Sequence, residues 1–164
     1  MDAIEALRTR RSCRKFAAKD VGRDVVETVV DAGRLAATAR NEQPWDFVVV
    51  TDAGVRRQIA AMTDYGPFIA DAPVCIGVLA KQTKYYLEDG SAATQNILLA
   101  AHALGLGACW VAGDKKPYAP KVVKALGAPA DMNLVALVAL GWPQGPPPDP
   151  GKRSLRDVLH WEKF

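Results

Sequence analysis

The chain has 164 residues, 49% of them apolar and 24% charged, the mixture of one globular domain that can bury a core. Disordered, collagen-like and mucin-like classes are thereby excluded. Lys and Arg number 21 against 18 acidic residues, and the resulting +3 is too small to imply nucleic-acid binding by itself.

Residues 2–8 predict a short helix that runs into the basic stretch Arg10-Arg11-Ser12-Cys13-Arg14-Lys15. From Asp24 to Ala37 apolar residues recur at helical spacing. Trp45 to Val50 is a β-rich run bracketed by Pro44 and by Thr51-Asp52-Ala53-Gly54, and a short helix over 54–62 follows. Pro73 to Ala80 reads as a buried strand. Ser91 to Leu104 is a helix that turns apolar on every face after Asn96 and stops at Gly105. Ala108 to Ala112 predicts a strand, Pro117 to Leu126 a helix ended by Gly127, and Leu134 to Leu140 a strand buried on both faces. Five of the eleven prolines lie between Pro143 and Pro150, so residues 143–164 read as an extended C-terminal arm. Alternating helices and strands make residues 1–164 one α/β or α+β domain, and the long all-apolar helix in so small a chain favours α+β with that helix packed centrally.

Cys13, Cys75 and Cys109 are odd in number, widely spaced and form no C-x-x-C, which speaks for reduced thiols in a cytoplasmic protein. His102 and His160 have no ligands at metal-binding spacing, so no protein metal site is expected. The acidic N-terminus lacks the apolar segment of a signal peptide. The apolar stretch Ile97 to Gly113 falls short of the ~20 residues that cross a bilayer and is broken by Gly105 and Gly107; a helix followed by a strand is expected.

Gly105-Leu106-Gly107 is not a dinucleotide fingerprint, because Trp110 holds the third glycine position and the pair follows a helix. P-loop and nucleophile-elbow motifs are absent. Arg10, Arg11, Ser12 and Arg14, however, fall within five residues. Guanidinium groups and a hydroxyl can together hold a phosphate monoester, although a solvated basic face has the same composition. A second segment runs Thr38-Ala39-Arg40-Asn41-Glu42-Gln43-Pro44-Trp45. Its amides can read the edge of a polar heterocycle, and Trp45 is either an aromatic wall or a core residue.

R-R-S-x-R-x-F at 10–16 followed by N-x-Q-P-W at 41–45 resembles the nitroreductase family of FMN flavoproteins. The resemblance continues through Glu88 to Trp110, through Leu140-Gly141-Trp142-Pro143, and through Lys152-Arg153-Ser154-Leu155 to His160-Trp161-Glu162. It implies an α+β homodimer, a mixed sheet flanked by helices, two interfacial FMN sites and a C-terminal arm that reaches over the partner. It also implies that Arg10, Ser12 and Arg14 hold the phosphate, joined by Arg153 and Lys152 from the arm. Arg11 then lies near the ribityl chain or ring edge, and Asn41, Gln43 and Pro44 address the flavin. The strand through Trp110, Val111, Ala112 and Gly113 runs beside the ring.

The activity so implied is ping-pong hydride transfer from NADH or NADPH through the flavin to an electron-poor small molecule such as a nitroaromatic or quinone. No conventional catalytic side chain is expected, because the cofactor carries the chemistry. The alternatives are a non-catalytic FMN-binding or flavin-sensing protein, and a small basic domain for another phosphate or nucleic acid. Family members often have Ala-Pro-Ser where this chain has Ala36-Ala37-Thr38, and some have Glu where it has Ala112. Little chain is available between Met62 and Pro73 or between Ala80 and Ser91 to cover a substrate, so an open pocket is expected.

The net charge is unevenly spread. Eight of the 21 basic residues lie in residues 8–15 and 152–156, and the remaining 13 face 18 acidic ones. The two basic runs are those that the resemblance gathers around one phosphate.

Overall fold

A computed structural model describes all of residues 1–164. Its elements in chain order are α1 (Ala3–Thr9), α2 (Arg23–Arg34), β1 (Trp45–Val50), α3 (Ala53–Met62), β2 (Val74–Ala80), α4 (Tyr86–Ala103), β3 (Gly107–Ala112), α5 (Ala119–Ala125) and β4 (Asn133–Gly141). The four strands form one sheet in the order β1-β2-β4-β3, with every neighbouring pair antiparallel. Its one parallel contact is the isolated bridge between Ser12 and Ala108. The α+β class read from the sequence is therefore the observed one.

Helices cover both faces of the sheet. On one face Ile59 of α3, Val122 of α5 and Ile69 pack on Cys75, Leu79 and Leu137. On the other, Val26 and Val29 of α2 and Ile97 and Leu98 of α4 pack on Ile76, Val78, Val138 and Leu140. The central strands β2 and β4 are apolar on both sides because both sides are roofed.

One irregularity sets the position of α4. The β2–β4 register slips at Val78/Leu79, which pair with Ala136 and Leu134, leaving Val135 unopposed as a β-bulge. Val135 and Ala136 consequently lie on the same face. The bulged Val135 meets α4 at Gly90, where a Cβ would stand 2.7 Å from Val135 Cγ2. Only a residue without a side chain lets the helix pass there.

This contact explains the largest difference from the predicted elements. Helix α4 begins at Tyr86, five residues before the expected Ser91, and Gly90 lies inside it. Tyr86 fixes the new start through its hydroxyl, which donates to Asp114 at 2.7 Å. Helix α2 ends at Arg34 instead of Ala37, because the chain turns at Leu35 to carry Thr38 toward α4. Gly105 ends α4 at a φ of +80°, as its position in the sequence implied.

The N-terminal segment after α1 lies along the outer edge of β3. Cys13 N–H donates to Ala108 C=O at 3.0 Å, and Phe16 bridges to Pro143. Beyond Pro143 the arm leaves the sheet, and residues 151–164 are all exposed. No helix is long and apolar enough to cross a membrane. Cys13, Cys75 and Cys109 are free and buried, and burial pushes the Cys75 thiol up to about 12.

Candidate functional site

Strand β3 is an edge strand, and its free edge organises the site. Because Ala108 turns its carbonyl outward to Cys13, the two-residue period of a strand aims the backbone groups of Trp110 and Ala112 the same way. The Tyr118 hydroxyl takes the Ala112 carbonyl. The Trp110 carbonyl is approached only by the Cys109 thiol, at 3.7 Å. The N–H groups of Trp110 and Ala112 and the Trp110 carbonyl are thus left on an open edge.

Against this edge lies a groove of about 460 Å³, lined by Arg14, Asp64, Tyr65, Phe68, Cys109, Trp110, Val111, Ala112, Lys116 and Tyr118, with Pro67 completing one wall. Its size suits a small organic ligand. The Arg14 guanidinium lies 5.9 Å from the Phe68 ring centroid, in cation–π range. Tyr65 stands at the rim with 84% of its surface exposed, so the groove is not roofed. The sequence pointed to such openness through the short connections around Pro67, which hold only a single 3-10 turn.

The basic run flanks the same strand. Arg14 lines the groove beside Cys109, and Ser12 is bridged to Ala108, the residue before Cys109 on β3. Burial pushes the Cys109 thiol up, and Arg14, Ser12 and Arg10 act against that rise. Arg10 and Ser12 are half-buried and Arg14 is exposed. Two guanidiniums and a hydroxyl beside an open strand edge suit an anionic group attached to a flat heterocycle.

Arg11 is placed differently. Its guanidinium forms an ion pair with Asp149 of the arm at 2.6 Å and donates to the carbonyls of Arg8 and Arg10 at 2.9 Å. It ties the arm to the end of α1. His102, half-buried at the end of α4, approaches the Thr9 hydroxyl at 2.8 Å. That hydroxyl spends its own proton on the Glu5 carbonyl at 2.7 Å, so His102 Nε2 carries the hydrogen.

The second segment lies elsewhere. Asn41, Gln43 and Pro44 precede β1, at the opposite edge of the sheet from β3. Three strand spacings, about 14 Å, separate those edges. Asn41 and Gln43 are exposed, and Pro44 and Trp45 are buried, which makes Trp45 a core residue. Arg40, Asn41 and Gln43 have φ of 55°, 57° and 48°, in the left-handed region that favours glycine. Such residues cost about 1–3 kcal/mol each and persist where surrounding structure imposes them.

Lys152 and Arg153 are exposed on the arm, and Arg153 donates to the Asp157 carbonyl at 2.5 Å. Within one chain, then, Arg14, Trp110, Val111 and Ala112 line one groove, Ser12 is bridged to β3 at Ala108 with Arg10 just before it, and Gly113 follows the strand against Leu134. Asn41, Gln43, Lys152 and Arg153 stand apart from them. Sequence reasoning did not find Phe68, Tyr65, Lys116 and Tyr118, which reach the groove from two separate connections and share no local pattern. Nor did it find Asp89 of α4, whose carboxylate accepts from Thr38 Oγ1 at 2.7 Å and from Ala39 N–H at 3.0 Å. Its neighbour Glu88 is also acidic, so no local signal set Asp89 apart.

The chain matches the family model described as the nitroreductase family over residues 7–71 and 61–142. A Methanothermobacter thermautotrophicus protein provisionally named NADH dehydrogenase/NAD(P)H nitroreductase is 36% identical, covering 100% of this chain and 88% of that protein. A provisionally named nitroreductase of Desulfovibrio desulfuricans, solved in complex with FMN, has a TM-score of 0.88 at 33% identity, with 100% of this chain and 98% of that chain covered. An FMN-dependent nitroreductase of Clostridium difficile R20291 has a TM-score of 0.89 at 26% identity, covering 98% of this chain and 99% of that one. The chain belongs to the nitroreductase family.

Proposed function

We propose that this chain is an FMN-dependent NAD(P)H oxidoreductase of nitroreductase type, acting as a homodimer in the cytoplasm. The observation that carries the reading is the 460 Å³ groove on the open edge of β3, lined by Arg14 and flanked by the segment of Arg10 and Ser12 that is bridged to Ala108. The donor set fits FMN. Arg10, Ser12 and Arg14 hold the phosphate, and the outward backbone groups of Trp110 and Ala112 meet the ring edge. Three charge-assisted bonds of about 1.5–3 kcal/mol each, with burial of the ring, support micromolar or tighter binding after association costs.

Held there, FMN would supply hydride transfer between NADH or NADPH and an electron-poor small molecule such as a nitroaromatic or quinone, in ping-pong order. The chain's own part is to bind and orient. The unroofed groove admits donor and acceptor in turn, and Phe68 and Tyr65 offer aromatic surface to a flat molecule.

A second copy completes the site. Asn41 and Gln43 cannot reach the β3 edge of their own chain without crossing the sheet, whereas a partner can supply them. Leu155, Val158, Leu159, Trp161 and Phe164 of the arm are exposed, as are Ile4 and Leu7 of α1, the apolar surface that a partner covers. The arm then carries Lys152 and Arg153 toward a phosphate.

The test is an absorbance spectrum of the purified protein before and after adding FMN, followed by anaerobic mixing with NADH and with NADPH. Flavin absorbance that bleaches with either donor is expected. Bound flavin that neither donor reduces points instead to a flavin-binding protein without turnover, and no bound flavin overturns the reading. Sedimentation of the holoprotein tests the dimer.

A further inference from the structure

Asp89 is the one buried charged side chain in the molecule, 5% exposed. A carboxylate is costly to bury unless its oxygens are satisfied by hydrogen bonds. Here the satisfying donors come from a different part of the chain, the loop before β1. Thr38 Oγ1 donates to Oδ2 and Ala39 N–H to Oδ1, each across at least 50 residues of sequence.

The same threonine oxygen also accepts from Gln43 N–H at 3.1 Å. One hydroxyl thus links the helix carboxylate to the far end of the loop, closing residues 38–43 into a ring. Within that ring Arg40, Asn41 and Gln43 hold left-handed conformations, and the Gln43 side-chain amide donates to the Asn41 carbonyl at 3.3 Å. Left-handed backbone at three non-glycine residues needs an external constraint. The hydrogen bonds from Asp89 through Thr38 supply it, and Gly90, seated on the bulged Val135, sets where Asp89 stands.

We propose that Asp89 is a positioning residue that, through Thr38, fixes the loop so that the exposed amides of Asn41 and Gln43 face the flavin ring held at the β3 edge of a second copy. This rests on the reading of the chain as an FMN protein. Asp89 touches no cofactor itself, and its effect is to set the order of the loop before the flavin arrives. Preorganisation of this kind lowers the cost of binding without adding a contact.

The experiment uses the full-length protein with Thr38→Val, Asp89→Asn and Asp89→Ala. Hydrogen exchange of residues 39–43 is measured without flavin, and FMN and riboflavin are titrated separately. Riboflavin lacks the phosphate, so it reports on ring recognition alone. Thr38→Val, which keeps shape and removes the hydroxyl, is expected to speed exchange of the loop. It is also expected to weaken FMN and riboflavin alike, by about 10-fold for the lost hydrogen bonds. Asp89→Asn keeps one acceptor for Ala39 N–H and is expected to fall between Thr38→Val and wild type. Thr38→Val and Asp89→Asn decide the matter if Asp89→Ala does not fold. Wild-type exchange and wild-type flavin affinity in Thr38→Val overturn the proposal. Wild-type protein that binds neither flavin overturns it together with the functional reading, whereas flavin binding that Thr38→Val leaves untouched overturns the positioning role alone.

Discussion

Arg11 and Asp149 meet at 2.6 Å across 138 residues of sequence, and this ion pair fastens the C-terminal arm to the end of α1. The Arg11 guanidinium and the Gly151 N–H hold the Asp149 carboxyl down at about 2, below its ordinary value of 3.8. A carboxylate lowered in the fold contributes above its ordinary range and loses that contribution as the pH falls through the lowered value. The link is therefore complete at neutral pH and is lost as the pH falls from 3.8 toward 2. Asp149→Asn is expected to leave the melting temperature nearly unchanged, since exposed pairs contribute little. Proteolysis after Pro150 should nevertheless become faster, as limited digestion followed by mass spectrometry would show.

Arg14 lies between the anion cluster and the groove. Arg14→Ala is expected to weaken FMN binding by about 10–100-fold, the loss of one or two charge-assisted bonds. Riboflavin affinity should change far less. A flavin titration with both ligands checks the assignment, and an unchanged FMN affinity would remove Arg14 from the phosphate site.

The contact between Gly90 and the bulged Val135 has no slack. Gly90→Ala places a methyl group 2.7 Å from Val135 Cγ2 in a packed interior and is expected to destabilise the fold by about 1–3 kcal/mol. Adding Val135→Ala should recover part of that loss, because the two residues touch and their effects do not add. Urea unfolding of the two single variants and the double variant measures both quantities.

His102 has a pH signature of its own. Burial, and then the nearby Arg10 and Arg11, hold its imidazole below the usual 6.5, so the folded state binds fewer protons than the unfolded chain. Stability then falls as the pH drops through that ordinary value, and the decline ends once the folded imidazole is also protonated. His102→Gln should flatten the decline in melting temperature that sets in as the pH drops through 6.5.

Much of this architecture is legible because punctuation and pattern agree. Pro44 and the turn residues after Val50 bracket β1 to the residue, and Gly105 and Gly127 mark helix ends. The unbroken apolar run before Gly141 announces a strand roofed on both sides. The start of α4 was not legible, because a glycine that normally weakens a helix is at Gly90 demanded by a bulge on another element. The basic run announced an anion site, but the diversion of Arg11 to Asp149 depends on a proline stretch folding back over 138 residues. Asp89 was hidden for a similar reason. Acids in a first helical turn ordinarily face solvent, and only the turn of the chain at Leu35 brings its donors within reach.

The two bridges of the N-terminal segment, Ser12 to Ala108 and Phe16 to Pro143, also order events during synthesis. Residues 10–16 are made well before the backbone they lie against, the outer edge of β3 and the end of β4. Helices α1 and α2 can form early from local contacts, but Arg10, Ser12 and Arg14 have nothing to dock on until most of the chain has emerged. Contacts so distant in sequence close late, because their loop entropy must be overcome first. A nascent chain therefore has not yet assembled the proposed phosphate site, and an arrest or truncation before β4 is expected to yield a product that does not bind FMN.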